Sequence, residues 1–189
     1  SCFLVFADVY DQFVESFVSK MGALKMGDPM DETVQLGPLA TANGKRDIVE
    51  LVEDAKAKGA NILCGGETPE GPGFFYPATV IDGLTDDMRL VMEEAFGPVA
   101  SIYKVANKEE AVRIANQTTF GLSSAVWTKD TAEQDYFVQH LQAGAVFVNG
   151  MTISYPELAF GGIKDSGFGR EVSDAGIKEF CNLKTVWKA

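Results

Sequence analysis

After residue 98 this 189-residue chain alternates strand and helix signals with a regular period. "VASIYKV" (99–105) is a run of β-branched and apolar residues that reads as a strand. Asn107 with Glu110 then makes a capping-box pattern, which opens a helix to about Asn116. "SSAVWT" (123–128) is a second strand, Asp130 with Glu133 caps a helix to about Ala143, and "AVFVNG" (145–150) is a third strand. Strands separated by helices of this length predict crossover units and a mainly parallel, twisted sheet covered by helices, an α/β fold.

The earlier part of the chain has the same vocabulary in a looser order. Tyr10, Phe13, Val14, Phe17, Val18 and Met21 fall on one face of a helix over 9–21. Ile48, Leu51, Val52 and Ala55 do so over 45–58, closed by Gly59. "NILCGG" (61–66) reads as a short strand ending in a turn, and "FYPATVI" (75–81) as extended chain. No repeat, linker or low-complexity tract appears, so the pattern reads as one domain.

Charge and cysteine content exclude several classes of function. A net charge of −11 with no basic cluster excludes a nucleic-acid surface. No apolar run approaches the roughly 18–20 residues of a membrane helix, so no membrane partner is expected. Three scattered cysteines, Cys2, Cys64 and Cys181, suit reduced thiols in a cytoplasmic protein better than a disulfide framework. His140, alone and without cysteine or carboxylate at ligand spacing, predicts no metal site.

The stretch "AFGGIKDSGFGRE" (159–171) invites a phosphate-loop reading, which its residues do not support. Gly162 and Gly167 have the spacing, but Phe168 and Gly169 stand where a lysine and a hydroxyl are needed. The dinucleotide pattern fails too, because Val172 occupies the third glycine position.

Three ordered stretches, "EEAFGPVASIYKV" (93–105), "NQTTFGLSSAVWTKD" (116–130) and "FGGIKDSGFGRE" (160–171), resemble the catalytic-domain motifs of the NAD(P)-dependent aldehyde dehydrogenase superfamily. "VFVNG" (146–150) and "EFCNLKTVWK" (179–188) extend the likeness over nearly the whole chain. Within the superfamily, the stretch from Asn149 to Glu171 most resembles succinate-semialdehyde dehydrogenases. The resemblance implies a catalytic domain over 1–183 and the start of an oligomerisation strand over 184–189. The coenzyme-binding domain would lie outside this chain, which alone would then be inactive. It implies a homodimer or homotetramer, an aldehyde substrate, and NAD or NADP as cofactor.

The same resemblance nominates site residues. Cys2 corresponds to the nucleophile that forms a thiohemiacetal and then a thioester, although the family usually has about five more residues between that cysteine and the "FLVFADVYDQF" strand. Glu94 and Phe96 correspond to the carboxylate on the nicotinamide ribose and the ring beside the nicotinamide. Phe160 corresponds to an aromatic wall of the aldehyde tunnel. Ser154 corresponds to a serine binding the distal carboxylate of succinic semialdehyde. Gly161 and Gly162 would let backbone pass close to the site, and Gly167 and Gly169 would shape the next turn. Cys64 and Cys181 read as core packing. Three alternatives stand beside oxidation of succinic semialdehyde: another aldehyde or semialdehyde, a non-catalytic piece that only assembles with partners, and a Cys2–His140 hydrolase with no local motif behind it.

Overall fold

A computed structural model describes residues 1–189. The chain gathers into two compact units, Ser1–Asn107 and Lys108–Ala189. The elements of the first unit are β1 (Cys2–Phe6), α1 (Ala7–Gly22), α2 (Ala42–Ala57), β2 (Asn61–Cys64), β3 (Thr79–Asp82), α3 (Arg89–Met92) and β4 (Val99–Val105). Those of the second are α4 (Lys108–Gln117), β5 (Phe120–Gly121), β6 (Ser123–Val126), α5 (Thr131–His140), β7 (Ala145–Val148), β8 (Ile163–Lys164) and α6 (Ser173–Lys178).

The first unit is a four-stranded sheet in the order β1-β4-β3-β2. Its β1–β4 and β4–β3 pairs are parallel, and the β2 edge is antiparallel. Because side chains alternate along a strand, the two faces can be read off the register. Val5, Ile102 and Val80 point to one face, where Phe13, Val14, Phe17 and Val18 of α1 cover them. Ile81 and Val99 point to the other, against Ile48, Leu51, Val52 and Ala55 of α2. Each fully buried aliphatic side chain here contributes about 1.5–3 kcal/mol relative to exposure. The helical faces are those expected from the spacing, with α2 starting earlier because Thr41 Oγ1 accepts the Gly44 amide at 3.0 Å.

The second unit pairs β6 with β7 in parallel, α5 supplying the crossover between them. A separate two-residue ladder joins β5 to β8 in antiparallel fashion. Asp130 Oδ1 caps α5 through the Ala132 and Glu133 amides at 2.8 and 3.3 Å. The reciprocal half of that expected capping box is absent: Glu133 accepts the Thr128 hydroxyl at 2.6 Å, and Thr128 receives the Asp130 amide. The helix also stops at His140 and not near Ala143. Asn116 explains the early stop, since its side chain donates to His140 O at 2.9 Å and accepts the Gln142 amide at 2.8 Å. Residues 181–189 carry no regular element. No helix is long and apolar enough to cross a membrane.

Candidate active site

In the first unit, the nominated coenzyme contacts sit on the turn between α3 and β4. α3 is a single helical turn, and the carboxylate that caps it comes from a neighbouring helix: Asp54 Oδ2 of α2 accepts the Arg89 amide at 2.9 Å. Arg89 then grips Glu93 with two bonds, Nε to Oε1 at 2.7 Å and Nη2 to Oε2 at 2.8 Å. Lys58 completes the cluster on Asp54 at 2.9 Å. The lysine and the Arg89 amide hold the Asp54 carboxyl below its ordinary range, as Arg89 does for Glu93.

This cluster separates two adjacent carboxylates. Glu93 is committed to Arg89, whereas Glu94 is exposed and carries neither a hydrogen bond nor an ion pair. Phe96 stands 76% exposed on the same turn, an unusual position for a phenylalanine with nothing to cover it. Gly97 and Pro98 lead into the sheet, where Pro98 O accepts the Thr79 amide at 2.8 Å. A free carboxylate and a free aromatic face two residues apart suit a polar ring-bearing ligand.

Cys2 is in the same unit but not in a loop. It is the first residue of β1, in register with Ser101, and the ladder continues through Ser101 N to Ser1 O at 2.9 Å. Its side chain is exposed by accessible area, yet dense protein lies around the thiol. Desolvation therefore dominates and pushes it up to about 11. Within these 189 residues no base or hydrogen-bond partner reaches the sulfur. Tyr103, opposite Leu4 on the neighbouring strand, is raised as well, first by desolvation and then by proximity to Cys2.

The second unit holds an apolar cavity of about 380 Å³ between β7 and the segment 153–160. Phe147, Val148, Ile153, Tyr155, Leu158 and Phe160 are among its lining. Phe160 thus lies where an aliphatic chain could rest. Ser154 does not line the cavity, although both its neighbours do; it is exposed and makes no hydrogen bond. Ile153 and Tyr155, which flank Ser154, belong to the lining, and no motif or periodicity in the sequence marked them.

The glycines around this cavity serve backbone packing. A Cβ on Gly144 would lie 1.8 Å from Gly161 O, and one on Gly161 would lie 2.6 Å from Gly169 O. Backbone meets backbone at both places, so no side chain fits. Of the remaining cysteines, Cys64 packs beside the α1 face as expected. Cys181 does not join the core; it is exposed just beyond α6, where the chain carries no regular element and its thiol meets only Ile177 O of that helix at 3.5 Å. His140 stacks on Tyr136 with centroids 4.1 Å apart, a packing role.

The model of the aldehyde dehydrogenase family matches residues 1–186. The chain belongs to the aldehyde dehydrogenase family. It is 57% identical over 187 residues to succinate-semialdehyde dehydrogenase (NADP+) 1 of Mycobacterium bovis, covering 99% of this chain and 41% of that protein. A crystal structure of succinic semialdehyde dehydrogenase from Streptococcus pyogenes with NADP+ superposes with a TM-score of 0.94 at 37% identity, covering 100% of this chain and 41% of the other. A betaine aldehyde dehydrogenase from Staphylococcus aureus with NAD+ gives 0.89 at 32% identity, covering 95% and 37%. The chain therefore spans about two-fifths of the length of these relatives.

Proposed function

We propose that the full-length protein oxidises succinic semialdehyde to succinate with NADP+ as hydride acceptor. The observation that carries this reading is 57% identity, over 99% of the chain, to an NADP+-dependent succinate-semialdehyde dehydrogenase. When bound, the nicotinamide coenzyme takes up the hydride. Glu94 would accept hydrogen bonds from its ribose hydroxyls, and Phe96 would present a ring face to the nicotinamide. Phe160 and the apolar cavity would hold the aldehyde's methylenes and exclude water from them. Ser154 would donate one hydrogen bond to the distal carboxylate. Reduced thiols and the family resemblance support a cytoplasmic homodimer or homotetramer.

Cys2 would be the nucleophile on which the thiohemiacetal and then the thioester form. A cysteine working as a thiolate requires a lowered pKa, and within this chain desolvation raises the Cys2 thiol to about 11, so its activation would fall to groups of the full-length protein. The family spaces its nucleophile about five residues further from this strand.

Coenzyme reduction followed at 340 nm tests the reaction. Succinic semialdehyde should give a kcat/KM at least about tenfold above butanal, about 1.4 kcal/mol of discrimination. Equal values would replace succinic semialdehyde by a general aldehyde, and no reduction with either would favour a non-catalytic assembly role.

A further inference from the structure

We propose that Arg170 is a positioning residue for the aldehyde wall: by tying the Gly162 and Gly169 carbonyls together it closes the loop 160–171 and holds Phe160 over the apolar cavity. The proposal rests on the reading of Phe160 as that wall.

The loop's ends meet in a single pair of backbone bonds. Phe160 N donates to Glu171 O at 3.0 Å, and Glu171 N to Phe160 O at 2.7 Å. This is an isolated bridge with no strand on either side to extend it. The middle of the loop is pinned by the β8 ladder to β5 and by Ser166 Oγ accepting the Gly121 amide, but neither contact reaches across from Gly162 to the returning arm at Gly169. Arg170 does so, with Nη1 donating to Gly162 O at 2.9 Å and to Gly169 O at 2.7 Å. Its own backbone amide is held by Glu179 Oε1 at 3.0 Å. A cation donating to two carbonyls makes charge-assisted bonds, and the planar guanidinium is pre-organised for them in a way an ammonium is not.

Gly161 gains a second reason from the same arrangement. A Cβ there would approach Arg170 Cδ to 2.9 Å, so any side chain at 161 would displace the arginine stem. Phe160 is the residue just before this glycine, and its ring lines the cavity with Ile153, Tyr155 and Leu158. A loosened clasp therefore moves the ring relative to the substrate, and misplacements of about 1 Å can cost up to roughly 100-fold in rate.

A double-mutant cycle in the full-length protein tests the coupling. Arg170→Met should raise KM for succinic semialdehyde about 10-fold while KM for NADP+ stays within about twofold. Arg170→Lys, which keeps the charge but not the fork, should raise it about threefold. On a Phe160→Ala background, Arg170→Met should add almost nothing, because the ring it positions is gone. Equal fold-losses in both backgrounds overturn the proposal, as does a parallel rise in both KM values, the mark of a general structural role. An unchanged aldehyde KM in Phe160→Ala alone overturns the wall reading, and this proposal with it. Should Arg170→Met fail to fold, Arg170→Lys takes its place in the cycle, and the same outcomes support or overturn the proposal.

Discussion

Thiolate chemistry asks for surroundings that stabilise a charged sulfur, and the surroundings of Cys2 do the reverse. Its alkylation by iodoacetamide should rise with pH towards a midpoint near the thiol's value of about 11, with little reaction at neutral pH. Cys2→Ala in the full-length protein, where Cys2 is the proposed nucleophile, should lower kcat by about 10³-fold or more. A kcat within about twofold of the unsubstituted enzyme would remove Cys2 as the nucleophile. Ser154 makes a smaller and substrate-selective prediction, because a hydroxyl bonding a charged group is worth about 1.5–3 kcal/mol. Ser154→Ala should lower kcat/KM for succinic semialdehyde by roughly 10- to 150-fold and leave butanal nearly unaffected. Equal losses on both aldehydes would mark a damaged loop, and no loss on either would remove Ser154 from the site.

Between α2 and α3 lies a set of charged contacts whose consequence is visible in pH dependence. Asp54, Asp87 and Glu93 are all held below their ordinary range, by Lys58, by Thr85 and by Arg89 respectively as the leading cause. A carboxylate lowered in the folded state binds fewer protons there than in the unfolded chain. Its contribution is complete above the unfolded value of about 4 and is lost as pH falls through the lower folded value. Thermal unfolding followed by circular dichroism should give a Tm that is level from pH 7 to about 5 and falls below about 4. Asp54→Asn should lower Tm at pH 7 and flatten the fall, since the Lys58 pairing and part of the proton linkage go together. A variant with the same Tm at pH 7 and the same acid slope would show that the Asp54 capping of α3 contributes nothing.

On the proposed reading Glu94 and Phe96 form one end of a coenzyme site, and the starts of α2 and α5 offer little to a phosphate. Thr41 already occupies an amide at the start of α2, and a carboxylate, Asp130, sits on the start of α5, where it would repel an anion. Isothermal titration of NADP+ into this chain alone should therefore show a Kd no tighter than about 1 mM. Micromolar binding would mean that these residues hold far more of the coenzyme than Glu94 and Phe96 account for.

The strand at 99–105, the apolar faces of α1 and α2, and the helix–strand alternation of the second half were all legible in the sequence. Each is a local period, and a period of 2 or 3.6 in apolar residues survives wherever one face of an element is buried. The glycines of 159–171 were legible as a place of close approach, but not what they approach. Contacts between distant parts of the chain settled the rest. Asn116 ends α5 early, Asp54 caps a helix 35 residues away, Glu93 is engaged while Glu94 is left free, and Arg170 closes its loop across Gly162. None of these leaves a periodic trace, because a single side chain meeting one backbone group depends on where folding brings the two together. Cys2 shows the same boundary most sharply: the family motif nominated it as a nucleophile, while its register beside β4 and the desolvation of its thiol exist only in the folded sheet.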